Sequence, residues 1–177
     1  MMKFKTVALS LLLGLTTACS STASSEKAKP AEQAATQQND QVANLIRLAE
    51  QGISEAQYNL GQMYRRGEGV AKNDKQAVYW YQKAAEQGNT DAQYNLGSMY
   101  YVGKGVAKND KQAIYWYQKA AEQGMAAAQN KLGAMYFKGE GVQRDLSKAK
   151  QYFQLACNGG DQNGCENYTI LNQQGVK

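Results

Sequence analysis

Few side chains in this 177-residue sequence are equipped for catalysis. There is no histidine, which removes the usual imidazole base and the commonest metal ligand. Ser24-Ser25-Glu26-Lys27 has the Ser-x-x-Lys spacing of a serine nucleophile and its lysine. It falls in a polar, aperiodic stretch that reads as a flexible tether, and a mobile segment cannot hold a nucleophile in attack geometry. Gly67-x-Gly69 lacks the preceding strand and the following Lys-Ser/Thr of a phosphate loop. Asp74, Asp110 and Asp145 stand where helix caps are required. Glu50, Glu86 and Glu122 recur on equivalent helical faces, where a solvated or inter-repeat role is the default. Asn167-Tyr168-Thr169 is a glycosylation sequon by spacing only. Cys157 and Cys165, without further Cys or His, do not complete a zinc site. No catalytic residue, metal site or cofactor is therefore assigned.

The amino terminus carries an address. Lys3 and Lys5 precede an apolar run, Val7 to Leu15, and small residues follow up to Cys19. This is the layout of a secretory signal peptide over residues 1–18, and the run is too short to span a bilayer as a helix. Thr16-Thr17-Ala18-Cys19 resembles a bacterial lipobox, although that pattern prefers Leu where Thr16 stands. The resemblance implies that Cys19 becomes a lipidated first residue. Ser20 behind it implies retention at the outer membrane. Cleavage after Ala18 or Ala23 by ordinary signal peptidase, giving a soluble periplasmic or secreted protein, is the other outcome. Residues 19–39 then form the tether. Part of the formal charge of +5 belongs to Lys3 and Lys5, and the rest is dispersed. No basic stripe of the kind that tracks nucleic acid is visible. Behind an export signal, Cys157 and Cys165 enter an oxidising compartment, where a disulfide is their natural pairing.

From residue 40 onward the chain is organised by repetition. Residues 49–84, 85–120 and 121–156 are one 36-residue unit in three copies, without insertion or deletion. Ala49-Glu50-Gln51-Gly52 returns as Ala85-Glu86-Gln87-Gly88 and Ala121-Glu122-Gln123-Gly124. Such a period marks a helical solenoid. Within the first unit, Gly52 ends a helix and Ser54 is expected to cap the next. Ala56, Leu60, Met63 and Tyr64 recur at helical spacing. Gly67 and Gly69 turn the chain, with Val70 as an apolar plug, and Asn73 or Asp74 caps a second helix. Ala77, Val78, Trp80, Tyr81, Ala84 and Ala85 form the apolar side of that helix. Gly61 lies inside a helix, where glycine costs about 1 kcal/mol relative to alanine. Its return as Gly97 and Gly133 predicts a contact too tight for a side chain. Partial units flank the copies: a second helix at 40–48 and a divergent capping segment at 157–177. About eight helices are expected in the domain 40–177.

These residues resemble the Sel-1-like repeat family, relatives of tetratricopeptide repeats. The likeness rests on Ala56, Leu60, Gly61 and Tyr64, on the Gly67-x-Gly69-Val70 turn, and on Ala77, Trp80, Tyr81 and Ala84, all returning in register. It implies an all-α, right-handed α-solenoid that acts as an adaptor, assembly factor or regulator by binding other proteins. Cys157 to Cys165 is similar to cysteine-rich secreted members, in which cysteines eight apart bridge consecutive repeats. There it implies a bridge that pins the terminal helix. Some of those relatives carry a β-lactamase label, so a cell-wall-related or β-lactamase-type hydrolase is the alternative function. The residues weighed above do not supply that chemistry.

Differences between the near-identical copies locate the candidate binding face. The first helices differ at Glu55/Asp91, Gln62/Ser98, Arg65/Tyr101 and Arg66/Val102, and the third copy has Ala127, Ala134, Phe137 and Lys138 there. These positions share one stripe of a helix. The second helices differ only at Val78/Ile114 between the first two copies. Asn59 and Asn95 lie on the same stripe and suit a peptide backbone. In related solenoids the first helices line the concave side. The expected partner is thus a protein or peptide, with membrane contact only through the lipid anchor and no nucleic acid. Tyr79, Tyr115 and Trp116 form a second aromatic band, read as core or groove filler.

Overall fold

Two glycine-bearing connections alternate along the chain and cut it into helices of near-equal length. The computed structural model describes residues 40–177. The signal segment, Cys19, the tether and Ser24 to Lys27 lie outside the described residues. Helix α1 occupies 40–50. It is followed by α2 (Ser54–Arg66), α3 (Asp74–Glu86), α4 (Thr90–Val102), α5 (Asp110–Glu122), α6 (Ala126–Lys138), α7 (Leu146–Asn158) and α8 (Gln162–Gln173). Among the described residues there are eight helices and no strand.

Each helix packs on its neighbours in the chain, and α6 also meets α8. The result is an all-α solenoid. Buried clusters are correspondingly local. Ala49, Ala56 and Leu60 gather under Leu45, Ile46 and Trp80. Ala77, Tyr81, Leu96 and Met99 form the next cluster, then Ala113, Tyr117, Leu132 and Met135. Ala149, Phe153 and Leu171 close the series. Stability is therefore passed from neighbour to neighbour, as expected for a stacked array.

The helical glycines sit at the tightest contacts. A Cβ at Gly61 would lie 2.7 Å from Cδ1 of Tyr81; at Gly97 it would lie 2.9 Å from Cδ1 of Tyr117, and at Gly133 2.6 Å from Cδ1 of Phe153. All three rings are buried. The predicted close approach is thus glycine against an aromatic face, once per repeat. The second glycine of the turn is explained by the neighbouring repeat: a Cβ at Gly105 would lie 2.2 Å from the Asp74 carbonyl oxygen, and at Gly141 2.6 Å from Cβ of Asp110.

The caps differ from expectation at Ser54, and at Asp74 and Asp110, which open their helices as first helical residues while Asn73 and Asn109 cap them. Ser54 is already helical, and the cap position falls on Ile53, which has no side chain to accept a bond. The reason is the connection: Gly52 takes φ 88° and the next residue is already extended, so the helix starts one residue after it. The equivalent Asn89 and Asp161 do cap, accepting from the N–H of Ala92 and Gly164 at 2.8 Å. Of the Asn73/Asp74 alternatives, Asn73 is the cap, accepting from Lys75 and Gln76 at 3.1 Å. Asp145 caps α7 at the equivalent place.

Buried glutamines are the feature that polarity patterns hide. Gln57, Gln93 and Gln129 are each at most 7% exposed. Their Nε2 atoms donate to the carbonyls of Ala49, Ala85 and Ala121 at 3.0, 3.1 and 3.2 Å. Each bond joins a first helix to the end of the second helix before it. Gln87 and Gln123 in turn donate to the Oε1 atoms of Gln57 and Gln93, at 2.7 and 2.8 Å. The Oε1 of Gln129 has no partner, because Gly159 stands where Gln123 would recur. The last connection is instead closed by the Cys157–Cys165 disulfide.

Two substitutions test this packing by urea unfolding of residues 40–177. Gly97→Ala should destabilise by about 1–3 kcal/mol, because the Tyr117 ring must shift. Gln93→Ala should also cost about 1–3 kcal/mol, because it removes a buried side-chain bond between helices and the acceptor of Gln123. An unchanged midpoint for either contradicts the assigned contact.

Candidate interaction face on the first helices

Helical periodicity brings the variable positions of α2, α4 and α6 to the surface beside one another. Glu55, Asn59 and Arg66 of α2 are exposed, while Gln62 and Arg65 are half-buried. On α4, Asp91 and Val102 are exposed, and Asn95, Ser98 and Tyr101 are half-buried. On α6, Phe137 and Lys138 are exposed, with Lys131 at the position of Asn59 and Asn95. Val102 is the most exposed large apolar residue described, at 65%.

The half-buried members have internal duties that spacing alone does not reveal. The Arg65 Nε donates to the Tyr81 hydroxyl at 3.1 Å, and its Nη2 donates to Gln62 Oε1 at 2.8 Å. Gln62 also donates to the Tyr58 hydroxyl. Arg65 therefore tops the buried ring that faces Gly61. Burial pushes the Tyr81 phenol up, and the Arg65 bond opposes part of that rise. In the next repeat the same phenol position, Tyr117, is held by Ser98 instead. Arg65/Tyr101 and Gln62/Ser98 are thus compensating differences within the support of one buried hydroxyl.

Tyr101 has moved to a new task. Its hydroxyl donates to Glu140 Oε2 at 2.9 Å, linking the second first helix to the turn of the third repeat. That carboxylate acceptor favours the protonated phenol, so the Tyr101 value is raised, with burial adding to it. Glu140 also pairs with Lys138 at 3.7 Å. Between α4 and α6 these residues enclose a cavity of about 90 Å³, lined by Tyr101, Lys131, Ala134, Met135, Lys138 and Glu140. Arg66 pairs with Glu68 at 3.7 Å, both ends exposed, so the pair contributes little to stability. The Arg144 guanidinium lies 5.7 Å from the Phe137 ring centre.

The face thus has a graded chemistry. Carboxylates of Glu55 and Asp91 mark the amino-terminal edge, amides of Asn59 and Asn95 the middle, and Arg66, Val102, Phe137 and Lys138 the carboxy-terminal edge. Neither Asn59 nor Asn95 spends its side-chain amide on a bond that fixes the fold. The second aromatic band divides: Trp116 is buried, whereas Tyr79 and Tyr115 are half-exposed with edge-on contacts to Trp80 and Trp116. Among the described residues no cluster of three or more His, Cys, Asp or Glu could hold a metal. The perturbed tyrosines are pushed upward, toward the neutral form. Of these phenols, Tyr101 donates to Glu140 and Tyr81 accepts from Arg65.

A sequence model of the Sel1 repeat matches residues 54–89, 90–125 and 126–161. The chain belongs to the Sel1 repeat family. Each match begins on a first helix and keeps the 36-residue step. Among solved structures, a Sel1 repeat protein from Oxalobacter formigenes is 37% identical, with a TM-score of 0.67; 72% of this chain and 52% of that one are covered. The protein c5321 of uropathogenic Escherichia coli, a protective antigen with an SLR fold, is 33% identical with a TM-score of 0.71, covering 85% of this chain and 36% of its own. Cysteine rich protein B of Helicobacter pylori shares the fold at 23% identity and a TM-score of 0.56, covering 71% of this chain and 95% of its own. The chain thus spans about half and about a third of the first two relatives. No curated protein matches. Sel1 repeats are in general scaffolds for protein–protein interaction, and the fold is typically non-catalytic.

The buried phenols give this array a pH signature. The folded-state value of Tyr117 lies above the unfolded value near 10, with burial as the main cause. Its neutral form therefore adds stability that is fully present below about pH 10 and is lost as pH rises toward the folded value. Denaturant unfolding between about pH 9 and 12 should show stability falling, and Tyr117→Phe should flatten that fall. An equally steep decline in the variant contradicts the assignment.

Proposed function

We propose that this Sel1 repeat protein is an adaptor or regulator of the bacterial cell envelope that captures another protein on its first-helix face. The observation that carries the reading is the carboxy-terminal edge of α2, α4 and α6. Val102 and Phe137 project there as exposed apolar groups between the cations Arg66 and Lys138. Phe and Arg are among the residues enriched at protein interfaces. The solenoid spends nothing on keeping Val102 exposed, and its equivalents Arg66 and Lys138 are charged. Partner contacts are assigned to Glu55, Asn59, Arg66, Asp91, Asn95, Val102, Phe137 and Lys138. Gln62, Arg65, Ser98 and Tyr101 border the same face and hold it in shape.

The lysines of the cavity between α4 and α6 favour an acidic side chain there, since Lys131 and Lys138 outnumber Glu140. The envelope location rests on the export segment, with Cys19 as lipid anchor on the periplasmic side of the outer membrane. The Cys157–Cys165 bridge and the antigenic relative from Escherichia coli support a place outside the cytoplasm.

The test is a triple variant, Arg66→Glu, Phe137→Ala and Lys138→Glu, compared with the parent by cross-linking in intact cells and mass spectrometry. The variant should lose the partner captured by the parent while its thermal melt is unchanged. Retained capture by the folded variant contradicts the assignment. Separately, growth with an alkyne fatty acid should label the parent protein and leave Cys19→Ser unlabelled. An unlabelled parent contradicts the anchor.

A further inference from the structure

The disulfide occupies the same two positions as the glutamine bonds. Aligning the connections places Ala49, Ala85, Ala121 and Cys157 in one column, and Gln57, Gln93, Gln129 and Cys165 in another. In three connections the later residue reaches back eight positions and donates to the earlier residue's carbonyl. In the fourth, the same pair is joined sulfur to sulfur. The backbone between them is alike in all four. Gly52, Gly88, Gly124 and Gly160 have φ of 88°, 88°, 86° and 88°. Their N–H groups donate to Ala49, Ala85, Ala121 and Cys157 at 2.9–3.0 Å.

One more column supports the exchange. Ala56, Ala92 and Ala128 become Gly164, where a Cβ would lie 2.6 Å from the Ala156 Cβ. The Cys157 and Cys165 Cα atoms are 4.4 Å apart. At the bridged connection there is no room for the methyl that the other three carry.

The fourth connection lacks the paired glutamines of the others. Gly159 replaces the glutamine that would donate across the helix pair. α8 also buries little of itself: Gly164 and Leu171, against five residues each for α4 and α6. Its remaining bonds are Asn130 to Asp161 at 3.0 Å, Asn167 to Asn130 at 3.5 Å, and Ser147 and Lys150 to the carbonyls of Lys177 and Val176 at 2.6 Å. Of these the Ser147 bond is exposed and the other three are part-buried.

We infer that Cys157 and Cys165 form a redox-dependent latch: the bond holds α8 on α6 and α7 in an oxidising compartment and releases it on reduction. The chemistry is thiol–disulfide exchange with a dithiol. The protein disulfide takes up two electrons and two protons and becomes two thiols, while the dithiol becomes a disulfide. Opening α8 uncovers Phe153 and Ala149, which Leu171 otherwise covers. The solenoid thereby gains an apolar end in reducing conditions only.

Hydrogen exchange of the full mature chain tests this without mutation. On adding a dithiol reductant, amide protection across Gln162–Gln173 should fall by about 10- to 100-fold, the scale of closing so short a loop. Amides of α2 to α6 should not change. Unchanged α8 protection overturns the latch. A second arm rebuilds the amide form: Cys157→Ala, Gly164→Ala and Cys165→Gln together. Its α8 should be protected regardless of reductant, whereas Cys157→Ala with Cys165→Ala should match the reduced parent. If the rebuilt variant exchanges as fast as the double alanine variant, the equivalence of the two latches is wrong.

Discussion

The solenoid depends on one contact repeated three times: a helix without a side chain at Gly61, Gly97 or Gly133, seated on the ring of Tyr81, Tyr117 or Phe153. Close approach brings the two helices of a repeat together over a wide apolar area. Burial of that area stabilises by roughly 25 cal/mol per Å², which outweighs the cost of about 1 kcal/mol for a helical glycine. The same contact dictates other choices. A tyrosine ring buried this deeply needs a partner for its hydroxyl, and Arg65 and Ser98 supply it. Phe153 carries no hydroxyl, and the third repeat correspondingly has Ala134 where Gln62 and Ser98 stood. Positions that look freely variable are therefore partly conditioned by the ring beneath them.

Much of the architecture was legible because the period is unbroken. Repetition turned ambiguous single signals, such as Gly61 or Gly67-x-Gly69, into assignments. The helical order and the partial units at each end follow from alignment of the copies, and the pairing of Cys157 with Cys165 from the export signal and the likeness to cysteine-rich members. Two features were not legible. Ser54 looked like a cap because its residue type is favourable, but the positive-φ glycine sets the start of the helix. Gln57, Gln93 and Gln129 carry no sequence signal of burial, because amides are usually exposed. Only three dimensions show a helix-end carbonyl within reach of each.

The candidate face was partly legible. Variation among copies drew attention to one surface of the first helices. It did not distinguish residues that vary because they are free from residues that vary in concert with a neighbour. Arg65 belongs to the second kind through Tyr81, as does Tyr101 through Glu140. Val102, Phe137 and Lys131 belong to the first, since nothing in the fold requires them. That distinction narrows the surface on which recognition can depend.

The central claim is that the first helices, and not the second, present the surface that meets a partner. A photo-reactive amino acid placed at Val102, and separately at Tyr115 on the second helix, compares the two faces in intact cells. The account predicts a covalent adduct to another protein from position 102 and none from position 115. Adducts from 115 alone, or from neither position, would contradict it.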